Sequence, residues 1–160
     1  MTDIKIAPLT SQHSADISAL AMRAKAHWGY SAAFMQLCRA ELSYSPEQIN
    51  HEDFHFVGAW SPGTSDIQSP IGFYALERLS AKQFELLALF VCPTKIGLGV
   101  GSMLLHHALK FAKAKRFTSI VIYSDPHAAE FYAKNGATRI GSQPSGSIPG
   151  RELPVYEIVL

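Results

Sequence analysis

From Asp53 to Val91 the chain is organised in twos. DFHFVGAW (53–60), IGFYALERL (71–79) and QFELLALFV (83–91) read as strands, separated by the turn-rich SPGTSDIQSP (61–70) and by residues 80–82. Three strands joined by such short links pair with their neighbours in opposite directions, so the middle of the domain is an antiparallel meander. The rest of the chain must extend, cover or cross that sheet.

After the meander the period changes. KIGLGVGSM (95–103) carries Gly97, Gly99 and Gly101 at every second position, and from Gly99 through Arg116 the pattern is helical, with Val100, Leu104, Ala108 and Phe111 on one stripe. SIVIYS (119–124) is apolar throughout, as a strand buried on both faces would be. In DPHAAEFYAKNG (125–136), Asp125 suits a cap, Pro126 the first helical position and Gly136 the stop. TRIGS (138–142) and LPVYEIVL (153–160) supply two last strands around QPSGSIPGRE (143–152). Upstream, Ile4 to Leu9 reads as an edge strand ending at Pro8. Thr10 or Ser11 caps a helix with Ile17, Leu20, Ala21 and Ala24 on its apolar face, HWGY (27–30) breaks it, and Ser31 caps a second helix carrying Phe34, Met35, Cys38 and Leu42. Pro46 either closes that helix or begins another turn. The order β-α-α-β-β-β-α-β-α-β-β is that of an α/β domain with a mixed sheet.

Its 160 residues fit one domain, 1–160, and 48% hydrophobic with 17% charged residues is too apolar for disorder. A net charge of +1 favours neither nucleic acid nor an anionic membrane as partner. The longest apolar run, Leu86 to Cys92, is too short to span a bilayer, and MTDIKIAPLT does not have the pattern of a signal peptide. Cys38 and Cys92 lie far apart without metal spacing and read as two reduced thiols of a cytoplasmic protein.

HEDFH (51–55) matches the H-E-x-x-H zinc motif, whose chemistry requires a helix. Here the second half runs into an alternating segment. On a strand the two histidines would stand about 13 Å apart, at ~3.3 Å per residue, too far for one ion with ligands at ~2.1 Å. The sequence therefore predicts no metal site.

For KIGLGVG three phosphate-binding readings compete with a plain turn. There is no Gly-Lys pair for a Walker A loop, and Gly97, Gly99 and Ser102 miss the Rossmann spacing. The third is the pyrophosphate loop of an acyl-CoA-dependent transferase, in which glycines bare successive backbone N–H groups at a helix start.

LFVCPTKIGLGVGSMLLHHAL resembles the central motif of the GNAT N-acetyltransferase superfamily, V-x-P-x-x-R-G-x-G-[IV]-G followed by a helix, and AAEFYAKNGATRIG resembles the same family's next helix. The two motifs cover roughly residues 83–142. AKAHWGYSAAFM and SDPHAAEFY with PSGSIPGRELP are similar to a bacterial subgroup of that superfamily. The resemblance implies a mixed, mostly antiparallel twisted sheet of about seven strands flanked by about four helices, splayed between strands 4 and 5. It implies acetyl-CoA as cosubstrate and a small-molecule amine as acceptor, with a homodimer left open. A CoA-binding sensor without turnover and a protein or peptide N-acetyltransferase are the alternatives.

By the same resemblance, backbone groups of Leu89, Phe90 and Val91 pair with pantetheine, and the loop Ile96, Gly97, Leu98, Gly99, Val100, Gly101 and Ser102 receives the pyrophosphate. Lys95 either adds charge nearby or is a solvated surface cation. The family's usual Arg or Gln is Ile96 here, so binding leans on backbone more than on a side-chain cation. Tyr132 falls at the family's tyrosine position, where a phenol protonates the departing thiolate. Phe131 packs in the core or beside the cofactor, and Asp125, where many relatives have Asn, caps the helix or contacts the cofactor.

Two residues compete as base. Glu85 lies, by strict alternation, on the same strand face as Leu87, Leu89 and Val91, where part burial would raise its pKa. His127, at the helix start near Tyr132, has a suitable intrinsic pKa. Acceptor specificity falls to His27, Trp28, Tyr30 and Phe34, and to the late loop, in which Arg151 suits a carboxylate of the acceptor.

Overall fold

The computed structural model describes residues 3–63 and 68–160. The segment 64–67 of the expected connector lies outside the described residues. β1 (Lys5–Pro8) leads into a 3-10 turn and α1 (Ser14–Ala26), then α2 (Ala32–Cys38) and α3 (Pro46–Asn50). Ser31 and Ser45 cap the two short helices by accepting from the amides of Phe34 and Gln48, and Pro46 opens α3 rather than closing α2. The meander is β2 (Phe54–Trp60), β3 (Gly72–Arg78) and β4 (Gln83–Val91), followed by α4 (Val100–Ala114), β5 (Ser119–Tyr123), α5 (Ala129–Lys134), β6 (Thr138–Pro144) and β7 (Glu152–Val159).

These strands form one seven-stranded sheet in the order β1-β2-β3-β4-β5-β7-β6. All neighbours are antiparallel except β4 and β5. That one parallel pair engages only Gln83–Glu85 with Ser119–Val121. Beyond it the two strands part, and the rest of the β4 edge faces a gap instead of a partner.

Each face of the sheet has its own core. Val100, Leu104, Leu105 and Ala108 of α4 pack with Tyr132 of α5 on Tyr74, Leu76, Ile120 and Ile122. Ile17, Leu20 and Ala21 of α1 pack with Cys38 and Leu42 on Phe56, Phe73 and Ala75. Burial of these apolar faces is what drives the layers together.

Strict alternation fails in β4. Ala75 lies opposite Ala88 while Leu76 lies opposite Leu86, so Leu87 is an extra residue, a β-bulge. Phe84 and Leu86 face the α4 side, but after the bulge it is Leu89 and Val91 that do, while Leu87, Ala88 and Phe90 face α1. Glu85, paired with Glu77, is therefore on the α1 face and does not share a face with Leu89 and Val91. A one-residue insertion inverts every later side chain, and apolar residues on both faces leave no mark of it in the sequence.

Candidate active site

The gap between β4 and β5 opens into a cleft of about 730 Å³. One wall is the glycine loop. Gly97 and Gly99 have φ of 88° and 81°, which a Cβ would strain, and Gly99 is the N-cap of α4. The amides from Ile96 to Ser102 donate to no group of the chain among the described residues, and the first turn of α4 holds no acidic residue. Unengaged N–H groups at the start of a fifteen-residue helix form a receptor for an anion. Lys95 and Ile96 line the cleft beside them; Leu98 turns outward and does not.

The second wall is the free edge of β4, with Leu89, Phe90 and Val91. These features fit coenzyme A: backbone donors for the pyrophosphate and an unpaired strand edge for the pantetheine arm. Phe131 completes that side by packing against Gly101.

Glu85 and Tyr132 reach the cleft from opposite faces of the sheet, Glu85 from the α1 side and Tyr132 from the α4–α5 side. Burial, with a smaller push from Glu77, raises the Glu85 carboxyl to about 7. Burial and the Asp125 charge push the Tyr132 phenol well above its ordinary value, so it keeps its proton at neutral pH. Its hydroxyl has no hydrogen-bond partner among the described residues.

The other end of the cleft is organised around Asp125. Its Oδ1 receives the His127 amide at 2.8 Å, as a cap should, and Lys25 Nζ stands 3.2 Å from Oδ2. The Tyr30 hydroxyl donates to the same carboxylate at 2.9 Å, and Arg151 Nη2 lies 3.5 Å from Oδ2. Burial disfavours the charge, but the His127 amide, Lys25 and Tyr30 outweigh it and hold the carboxyl near about 2. With its oxygens taken by protein donors, Asp125 ties chain segments together and has little left to offer a cofactor. His127 is drawn into this cluster: its Nδ1 sits 3.1 Å from Asp125 and 3.0 Å from the Tyr30 hydroxyl, and its ring stacks on Trp28 at 5.2 Å.

Of the residues expected on the acceptor side, Trp28 and Arg151 line the cleft. Tyr30 and Phe34 lie behind Arg151 as a stacked pair, centroids 4.0 Å apart, and His27 stands off the cleft against Trp28. The sequence reading missed Lys25 and Glu41, and it took Ser147 only as part of the late loop. The Ser147 hydroxyl donates to Glu41 at 2.9 Å, fastening the 145–151 loop to the segment after α2. An isolated polar residue at a helix end or in a loop carries no local signal of such long-range pairing.

The two histidines of HEDFH do not share a helical face. His51 ends α3 and His55 lies within β2, its ring stacked on Phe111 at 3.6 Å. Among the described residues no three His, Cys, Asp or Glu side chains gather in a way that could hold a metal ion. Both cysteines are free thiols, and no helix among the described residues is long and apolar enough to cross a membrane.

A strand-to-helix glycine loop at the mouth of a splayed parallel pair is the arrangement expected of a CoA-dependent acyltransferase. Residues 20–137 match the acetyltransferase (GNAT) family, and the chain belongs to that family: it is an acetyltransferase that draws on acyl-CoA. No curated protein matches the sequence. Among solved structures it is similar to the PaiA N-acetyltransferase of Thermoplasma acidophilum in complex with coenzyme A, with a TM-score of 0.78 and 24% identity over 99% of both chains. A GCN5-related N-acetyltransferase from Rhodopseudomonas palustris gives 0.76 and 20% over 98% of this chain and 95% of that one. The ribosomal-protein-S18-alanine N-acetyltransferase of Escherichia coli gives 0.69 and 15% over 98% and 93%. At these identities the likeness is one of fold.

Proposed function

We propose that this enzyme moves an acetyl group from acetyl-CoA directly to the amine of a small molecule. The observation that carries this reading is the loop strapped across one end of the cleft. There the 145–151 loop is tied to the α1–α2 break by Arg151–Tyr30 and to the segment after α2 by Ser147–Glu41. A walled pocket suits a compact acceptor, whereas a peptide needs a groove that continues past the reacting centre.

Acetyl-CoA supplies an activated thioester, and the chain's own residues supply the rest. The loop amides from Ile96 to Ser102 hold the pyrophosphate, and the β4 edge at Leu89 to Val91 aligns the pantetheine arm. Glu85 accepts the proton of the attacking amine, directly or through a water. A carboxyl near 7 suits that task, since at neutral pH much of it is ionised and still basic. Tyr132, protonated at that pH, gives its proton to the leaving thiolate. Base and acid stand on opposite faces of the sheet, so neither must change places during the transfer.

The test is thiol release from acetyl-CoA over a panel of small amines and peptide N-termini, with Tyr132→Phe alongside. Tyr132→Phe should lower kcat about 100-fold or more with CoA affinity retained. CoA binding without thiol release for any acceptor would make the chain a sensor. Preference for peptides would overturn the small-molecule reading, and absence of CoA binding would overturn the site itself.

A further inference from the structure

The charges behind Arg151 narrow the acceptor further, on the footing that the cleft is the amine site described above. Lys25, Asp125 and Arg151 form one cluster, with side chains only 11–16% exposed. It contains two cations and one carboxylate. Tyr30, whose phenol is pushed up to about 12 by burial and Asp125, stays neutral, so one positive charge is left over. Protonation of His127 would add to that surplus. Glu41, the other carboxylate on this wall, is exposed and accepts from Ser147, and it lies in no ion pair among the described residues.

Arg151 is held in a particular way. Its Nη2 donates to the Tyr30 hydroxyl at 2.6 Å, and its guanidinium lies 4.9 Å from the Phe34 ring centre and 5.2 Å from that of Tyr30. Only Nη2 is engaged: Nε and Nη1 have no acceptor among the described residues, although the side chain lines the cleft. A guanidinium fixed through one nitrogen, packed on rings and with its other nitrogens unengaged is suited to a planar anion.

We propose that the acceptor is an amino acid or a close relative of one: a molecule carrying a single carboxylate beside its amine, with the carboxylate held by the free edge of Arg151. A monoanion balances the one surplus charge. A phosphate dianion would over-balance it, and a polyamine would add a second cation to a cluster that already has one too many.

Matched acceptors test this: phenylalanine, phenylalaninamide and phenethylamine; methionine and 3-(methylthio)propylamine; β-alanine and 2-aminoethylphosphonate; and spermidine. Thiol release is followed for each with the native enzyme, Arg151→Lys and Arg151→Gln, and CoA binding is measured separately by calorimetry. The carboxylates should show KM values at least ~10-fold lower than their uncharged or decarboxylated partners. Arg151→Gln should erase that difference, and Arg151→Lys, which keeps charge but loses the fork, should retain part of it. CoA affinity should be unchanged in both variants, and thermal midpoints will show whether either has lost its fold. Amines or amides used as well as the carboxylates would overturn the proposal, as would turnover confined to spermidine or to the phosphonate. CoA binding with every acceptor inert would also overturn it. Absence of CoA binding is a different failure, that of the acetyltransferase site itself.

Discussion

The Tyr30 hydroxyl accepts from Arg151 and donates to Asp125, so one phenol joins three parts of the chain that the sequence keeps far apart. Tyr30 sits in the break between α1 and α2, Asp125 at the end of β5, and Arg151 just before β7. Their union shapes the acceptor end of the cleft, and it depends on a carboxylate between two cations.

Replacing that carboxylate is accordingly more than a local change. In Asp125→Asn, Lys25 and Arg151 are left in a largely buried cluster with no counter-charge. The expected destabilisation is about 2 kcal/mol, below the figure for a fully buried pair because each side chain keeps some exposure. The depressed Asp125 pKa also fixes a pH dependence. Its stabilising contribution is full above the unfolded carboxyl value and is lost as pH falls toward about 2. Urea denaturation at pH 7 and pH 3 should show a gap between native and Asp125→Asn proteins that narrows in acid.

Glu85 predicts the pH profile of the reaction. A base works only when ionised, so with its carboxyl near 7 the rate should climb as pH rises through that value and then level off. Glu85→Gln should lower kcat/KM about 100-fold and remove the limb near 7, which a pH–rate series on both proteins will reveal. Retention of the limb in Glu85→Gln would assign it to another group, with His127 the first to examine.

The sequence carried the layers of this fold well and its long-range pairings poorly. Helix caps at Ser31 and Asp125, the Gly136 stop and the meander all rest on local chemistry, and all stand in the structure. The face on which Glu85 lies rests on strand register, and a single extra residue at Leu87 reversed the inference for Leu89 and Val91. Trp28, Tyr30, Phe34 and Arg151 could be gathered as candidates by composition and resemblance. That Arg151 would line the cleft while Tyr30 and Phe34 support it from behind was decided by an aspartate about a hundred residues away.

The second histidine of HEDFH carries a stability prediction. His55 is stacked on Phe111, its Nε2 is closed off from solvent without a partner among the described residues, and burial, with the charges of His107 and Lys115, lowers its pKa to about 4. A folded-state value below the unfolded one means that the unfolded chain binds the extra proton. Stability should be full above the unfolded histidine value and decline as pH falls from there toward 4. His107, lowered by burial and Lys110, acts in the same direction. His55→Phe should flatten the part of the decline that belongs to His55, as read from thermal midpoints between pH 7.5 and 4.5.

The glycines of the loop are not equivalent. Alanine at Gly97 or Gly99 must adopt a positive φ, at a cost of about 1–2 kcal/mol, and should weaken CoA binding by distorting the amides proposed to receive the anion. Alanine at Gly101 meets only ordinary contacts, 3.5 Å from Phe131 and 3.7 Å from Val91, and should keep both stability and affinity. Calorimetric titration of the three variants with CoA separates the positions.

Ile96 makes the last prediction, because it stands where a cation is expected and is half exposed at the cleft. With backbone donors and a helix terminus as the anion receptor, CoA affinity in the native enzyme should respond weakly to ionic strength, since fixed dipoles at short range are screened less than a mobile surface charge. Ile96→Arg places such a charge on the rim. An exposed charge-assisted contact contributes about 1 kcal/mol, so the CoA Kd should fall roughly fivefold at low salt. That gain should shrink in ~0.5 M salt, where the Debye length is only a few ångströms. Titrations of both proteins at two salt concentrations decide the matter. A native affinity that collapses in salt would mean that Lys95, the neighbouring cation, does the binding that the backbone is credited with here.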